Sequence, residues 1–290
     1  MDSIFDIFLL EALLNGLLLG GLLALLALGL NLIFGVIDVV WICYAELVMV
    51  GMYGMFYLNN QYHVPFAVSA VICIAGVGLL GVLLHAVVIA PLLNAAPINQ
   101  LLATGGVLFF LQSAATVAFG IDFRNLGIRL PPFLFAEMSI SVARMIAFGV
   151  AILGMAGAYL FLTRTYIGTA IRAISQDRQI MPLMGVDSRR IYLITSALGG
   201  ALAGLASCLL VLQYDVHPFI GLSFGPITFM ICVMGGLGNM VGGFIASFIF
   251  AEIISLGGFY SDLEWGYVLA FVLFIVTMFV RPQGLFARRS

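Results

Sequence analysis

The 290-residue chain contains no lysine, and all eleven of its positive charges are arginine. Charge of either sign is scarce, at 8% of residues with a formal net charge of −2, so there is no basic domain to hold nucleic acid. The sequence has no Walker A run, no nucleophile elbow and no HExxH. Those absences remove nucleotide hydrolysis, serine hydrolase chemistry and zinc proteolysis from this chain. The four cysteines, Cys43, Cys73, Cys208 and Cys232, stand singly in apolar runs without CxxC spacing. His63, His85 and His217 are equally scattered, so the cysteines read as small buried hydrophobes rather than a disulfide framework or metal site. What the chain does have is apolar surface: 63% hydrophobic residues and a mean hydropathy of +1.21. That excludes a soluble domain of this length and implies an all-α polytopic membrane protein.

Apolar spans fall near 10–35, 39–58, 64–90, 100–119, 140–162, 191–213, 222–234, 241–257 and 265–281. Eight of these are expected to cross a hydrocarbon layer about 30 Å thick. The exception is 222–234, whose residues at about 1.5 Å each reach only about 20 Å. With Pro218 before it, Pro226 inside it and the GGLGN run at 235–239 after it, this piece reads as a short broken or re-entrant helix. Broken backbone at membrane depth must face protein or water, which places it in the interior.

Orientation follows from arginine. The loop at 163–190 and the tail from Arg281 are the two basic stretches and belong on the cytoplasmic side. Alternation then puts Asp215, Asp262, Glu264 and the N-terminus outside, provided the chain around 216–238 passes from the outer side to the inner one. Asp2, Asp6 and Glu11, with no basic n-region, agree with an outside N-terminus and argue against a cleaved signal peptide. The 120–139 connection, with Asp122, Arg124, Arg129, Pro131, Pro132 and Glu137, reads as an external linker. Gly20–Ala27 and Gly199–Ala206 spell similar octets 179 residues apart and run in opposite directions, the pattern of an inverted repeat. Small residues four apart (Gly16 and Gly20, Gly154 and Ala158, Gly200 and Gly204, Gly238 and Gly242) predict close helix crossings.

The loop at 163–190 interrupts two long hydrophobic blocks. From Ile167 it has helical spacing, with Ile167, Ala170, Ile171 and Ile174 on one face and Arg172, Gln176 and Gln179 opposite. Arg178 lies one turn beyond Ile174. Gly168 allows another backbone close, and Pro182 with Gly185 stops the helix. On spacing alone this is either a solvated basic linker or a docking element.

Gly168-x-Ala170-x-Arg172-Ala173, then Asp177 and Leu183-Met184-Gly185-Val186-Asp187, resembles the cytoplasmic coupling loop of ABC importer permeases, and in particular the LivH/LivM type that serves branched-chain amino acids. GLNLIFGV (29–36), ELVMVGMY (46–53), GGLGN (235–239) and RPQGLF (281–286) resemble further family segments in the same order, so the likeness covers nearly the whole chain. It implies that residues 1–290 form one transmembrane permease domain in the cell inner membrane. It implies docking to ATPase subunits through Gly168, Ala170, Arg172, Ala173, Asp177 and Gly185, and a translocation path near Asn31, Tyr44, Glu46, Gly235, Gly236 and Gly238. The implied partners are two ABC ATPases, a second, related permease and an extracytoplasmic substrate-binding protein; this chain itself would bind no cofactor, and ATP would be held on the partners. The chain departs from the family at Met181 and Pro182, where small residues are usual. It departs again at Trp41-Ile42-Cys43-Tyr44-Ala45, where Asn-Phe-Ala-His-Gly is usual, so branched-chain amino acids are the family default rather than a substrate assigned to this chain.

Glu46 and Glu252 lie inside apolar spans and Asp38 at the turn between the first two. A charge at such a depth costs several kcal/mol unless it is partnered or wet. Glu46 reads as path-lining in an importer. The same residue would be the ion or proton site if the chain were a stand-alone secondary carrier, and a passive channel is a third class.

Overall fold

The computed structural model describes residues 2–128, 133–135, 138–177, 181–260 and 262–286. Arg129, Pro131, Pro132, Glu137, Arg178 and Gln179, all used above, lie outside them. In chain order the helices are α1 (Asp2–Ile37), α2 (Tyr44–Phe56), α3 (Phe66–Leu84), α4 (Ala90–Leu92), α5 (Pro97–Phe119), α6 (Val142–Arg164), α7 (Tyr166–Gln176), α8 (Ser188–Leu210), α9 (Ile220–Gly235), α10 (Met240–Tyr260) and α11 (Leu263–Val280). Wider π turns at Tyr57–Gln61 and His85–Ile89 prolong α2 and join α3 to α4. Six apolar stretches, in α1, α3 through α4, α5, α6, α8 and α10, are long and apolar enough to cross a membrane, while α2, α9 and α11 are shorter.

Glycine sets the tightest packing. A Cβ added at Gly200 would lie 2.7 Å from the Val77 carbonyl oxygen, and one at Gly81 would lie 2.6 Å from that of Ser196. No side chain fits there, so α3 and α8 meet backbone to backbone. α1 lies along α10 in the other extensive contact, with Gly20 against Phe248 and the Ser255 hydroxyl donating to the Ala12 carbonyl at 2.6 Å. All four cysteines are buried thiols.

α2 lies at the centre, with eleven of its 13 residues buried, and packs on α3, α5, α8 and α9. It starts well inside the bundle. Asp38, at φ 58°, turns the chain back at the end of α1, and residues 39–43 then climb without helical structure. α5 holds this open stretch with a face that is polar inward and apolar outward. Among its buried residues are Gln100, Thr104 and Gln112, spaced in multiples of four, while Phe109, Phe110 and Val117 are exposed. Gln100 Nε2 donates to the Leu92 carbonyl at 3.0 Å, Thr104 Oγ1 to that of Val40 at 3.0 Å, and Gln112 Nε2 to Glu46 Oε1 at 3.0 Å. The eight residues from Thr104 to Gln112 span about 12 Å, which is the height climbed between Val40 and Glu46. The expected span at 39–58 is therefore corrected. Residues 39–41 have no helical structure and 42–43 form a turn, so the helix begins only at Tyr44, and Glu46 sits beside Gln112, beyond the midpoint of α5.

The expected break in 222–234 is corrected too. α9 is one continuous 16-residue helix with Pro226 inside it. The missing N–H frees the Leu222 carbonyl, which a protein interior tolerates where other groups can reach it.

The 163–190 loop and the Arg281 segment lie at one end of the bundle. There Leu285 N donates to the Met234 carbonyl at 2.7 Å and Asn239 Nδ2 to that of Phe286 at 2.7 Å, so the GGLGN and RPQGLF segments dock on each other. At the opposite end Arg124 pairs with Val216 as an isolated antiparallel bridge, and its guanidinium donates to Tyr57 Oη and to the Phe119 carbonyl. The connection expected to be a plain linker also carries a short hairpin, Phe133–Phe135 paired with Met138–Ile140.

Candidate functional site

Three groups of residues follow from this frame, and they lie in different places. The first is a cavity of about 280 Å³ at the start of α2. Trp41, Tyr44 and Glu46 line it from one side, Leu108 from α5, and Gly221, Pro226 and Phe229 from α9. Glu46 is fully buried. Its one hydrogen-bond partner among the described residues is the neutral amide of Gln112, and its Oε2 has none. Gly221 exists to make room for it: a Cβ there would fall 2.6 Å from the Glu46 carboxyl carbon. Tyr44 also lines the cavity, but its hydroxyl donates to the Gly199 carbonyl at 3.4 Å and rests against Gly29. Its ring is a wall and its polar end a strut between α1 and α8.

The second group is Asn31, Gly235, Gly236 and Gly238, which share no lining residue with that cavity. Asn31 Oδ1 accepts from the Gly238 N–H at 3.1 Å, and Gly236 and Gly238 have φ of 96° and 80°, the left-handed region that glycine fills without strain. A Cβ at Gly35 would lie 3.0 Å from Gly238 Cα. Asn31 and Gly238 therefore hold the turn after α9 on the end of α1, while Gly235 packs against Gly242 of α10 and Gly236 against Gly284.

The third group is α7. Thr165 caps it by accepting from Gly168 N at 3.0 Å. Ala170, Ile171 and Ile174 are buried against the bundle, Arg172 is exposed, and Ala173 is half-buried. Ile167 is more exposed than its expected face, at 36%. Gly168 makes its close approach within the chain, since a Cβ there would lie 2.5 Å from Leu162 Cα. The helix ends at Gln176, earlier than Pro182 and Gly185 suggest, because Asp177 leaves the helical region at φ −149°. Exposed Gly185, at φ 81°, follows a short 3₁₀ turn at Met181–Met184. Ile174, Gln176 and Asp177 share a polar cavity of about 570 Å³ with Asp38 and Gly238, which joins the end of α7 to the turn leading into α2.

Glu252 lies apart on α10, where its Oε2 would be 2.6 Å from a Cβ at Gly16. Gln112 and Gly221 were not singled out as site residues from the sequence. The signal for Gln112 was present, as one of the polar residues spaced by multiples of four along α5.

Residues 12–278 match the family described as "Branched-chain amino acid transport system / permease component". The chain belongs to this family. It is 30% identical to the high-affinity branched-chain amino acid transport system permease protein BraD of Pseudomonas aeruginosa, over 96% of each chain. It is 26% identical to the LivH protein of the same description from Escherichia coli K12, over 97% of this chain and 96% of that one. A probable branched-chain amino acid transport permease protein LivH of Methanocaldococcus jannaschii is 27% identical over 91% of this chain and 88% of its own. With its apolar helices, the chain is an integral membrane protein of a transport family.

Proposed function

We propose that this chain is the membrane-spanning permease subunit of an ATP-binding cassette importer in the cell inner membrane. It moves branched-chain amino acids, or a similar small organic solute, into the cell. The observation that carries this reading is the exposed, arginine-bearing α7 on a chain that matches the family from residue 12 to 278. In it, α7 docks on one of two ATPase subunits that hold and hydrolyse the ATP, a second permease chain completes the path, and an external binding protein delivers the solute. The α7 end faces the cytoplasm, with the N-terminus outside and the C-terminus inside. α2 and α11 complete eight crossings with help from their flanks, and the chain at 216–238, which carries α9, makes the remaining passage from the outer side to the inner one.

The path runs past Glu46, and an inverted repeat supports that position. An offset of 179 carries residues 44–56 of α2 to 223–235 in α9, and likewise α1 onto α8 and α3 onto α10; α5 then corresponds in order to α11. The same operation exchanges the two most extensive packings, α1 on α10 and α3 on α8. The two short helices, α2 and α9, occupy equivalent places, and the 280 Å³ cavity lies between them, where such repeats build their transport sites.

Uptake of labelled leucine into proteoliposomes holding the chain with its ATPase partners tests the reading. ATP-dependent uptake is expected. Uptake driven by an ion gradient in the chain alone would favour the secondary carrier instead, with Glu46 as its ion site. Orientation has its own test. A cysteine at Arg172 is expected to react with an impermeant maleimide only from the cytoplasm, and one at Asp262 only from outside. The native thiols are all buried and leave the background low.

A further inference from the structure

The cavity between α2 and α9 holds more than one unused polar group. Trp41 Nε1 and Glu46 Oε2 are both buried with no hydrogen-bond partner among the described residues, and both side chains line the same 280 Å³ space. An indole nitrogen is a donor only, and an ionised carboxylate is an acceptor only. Leaving either unmade is costly in a protein interior, so a complementary pair on one wall calls for an occupant. A third group adds to them. Pro226 takes away the N–H that the Leu222 carbonyl would otherwise meet, and Leu222 lines the cavity as well. The remaining wall is apolar, with Leu30, Leu108 and Phe229.

We propose that this cavity is a two-point recognition site within the permease. Glu46 receives an N–H group of a small solute, Trp41 donates to an oxygen of the same solute, and the solute's apolar part lies on Leu108 and Phe229. The proposal rests on the permease reading and adds to it a selection step in the membrane, separate from any external binding protein. The ligand chemistry is an ammonium or amide N–H a few ångströms from a carboxylate or carbonyl oxygen, carried on an apolar group. A bare metal cation fits poorly, because it would find one carboxylate and few further oxygens where six or more are usual.

The chain's composition offers a direct readout, since Trp41 and Trp265 are its only tryptophans. Trp265 is exposed on α11, away from the cavity, and Trp265→Phe leaves Trp41 as the sole indole. With the full chain in lipid nanodiscs, leucine or 4-methylpentanamide is expected to change the Trp41 emission saturably. 4-Methylpentanoate lacks the N–H and isopentylamine lacks the oxygen; each is expected to need about a hundredfold higher concentration. Adding Glu46→Gln separates the two sources of N–H: it should abolish the response to leucine's ammonium and weaken that to the amide far less. Silence toward both leucine and the amide, or equal titration by the one-function analogues, overturns the proposal. ATP-driven uptake measured alongside keeps the two readings apart. Normal uptake with a silent Trp41 removes the recognition site and leaves the permease. A titrating Trp41 without ATP-driven uptake does the reverse.

Discussion

Arg172→Glu is expected to leave the protein inserted and folded while ATP-driven uptake falls to a few per cent. The side chain is exposed on a helix whose opposite face, Ala170, Ile171 and Ile174, is already buried in the bundle. Reversing its charge therefore changes what α7 offers to a partner without disturbing what holds α7 in place. Against an acidic groove, loss of one well-placed contact is worth about 3 kcal/mol, or roughly a hundredfold in affinity. Co-elution of the variant with its ATPases, together with vesicle uptake, decides the matter, and undiminished uptake would return α7 to the status of a linker. Gly168→Trp would be the wrong probe of the same idea. An indole there has to displace the Leu162 backbone of the chain itself, so the expected result is a misfolded α6–α7 corner and loss of the protein from the membrane, whatever the partner.

The same contrast shows what the sequence could and could not reveal. Helical spacing marked the buried face of α7 because isoleucine and alanine differ sharply from arginine and glutamine. The two arginine-rich stretches were legible as a pair, and they do lie at one end. The start of α2 was not legible. Val39, Val40, Trp41, Ile42 and Cys43 are as apolar as any helix, and hydropathy cannot separate a non-helical segment and turn from a membrane span. What distinguishes them is on another element, in the amide and hydroxyl groups of Gln100, Thr104 and Gln112 that face inward from α5. Pro226 misled in the opposite sense, since a proline reads as a break although α9 carries it without interruption. Small residues were visible as a pattern, but their partners were not. Gly168 was expected to admit another subunit and instead admits the end of α6. Asn31, Gly235, Gly236 and Gly238 were grouped with Glu46, whereas the structure gathers them into a separate clasp at the end of α9.

That separation has a consequence for movement. The end of α7 shares a polar cavity with Asp38, and Asp38 leads into the non-helical segment that climbs to Trp41 and Glu46. A push on α7 thus reaches the cavity through residues 39–43, which helical hydrogen bonds do not lock. The Thr104 hydroxyl is a clamp on that segment, at 3.0 Å from the Val40 carbonyl. Thr104→Val removes the donor while nearly keeping the shape. Stability should change by only about 1 kcal/mol, whereas the coupling of ATP hydrolysis to uptake should loosen, seen as more ATP hydrolysed per solute moved. An unchanged ratio would show that the segment is held well enough by its other contacts.

The largest effect inside the membrane is expected from a single methyl group. In Gly221→Ala the new Cβ would lie 2.6 Å from the Glu46 carboxyl carbon and close to both carboxylate oxygens, so the side chain has to move. It has little freedom to do so, because Oε1 is held by Gln112 at 3.0 Å and the residue is fully buried. Either the Gln112 bond breaks or α9 shifts away from α2. A buried carboxylate that loses its one donor is destabilised by about 1–3 kcal/mol, which is roughly a tenfold to hundredfold change in any equilibrium that depends on it. Gly225, one turn further along α9, supplies the control: a Cβ there meets only the Ala45 methyl, at 3.3 Å, which a small adjustment relieves. Gly225→Ala should therefore transport nearly as the unmodified protein does, and Gly221→Ala should lose at least nine-tenths of its uptake at the same level in the membrane. Equal activity of the two variants would mean that the position of the Glu46 carboxylate does not matter to transport, and the path would have to be sought elsewhere in the bundle.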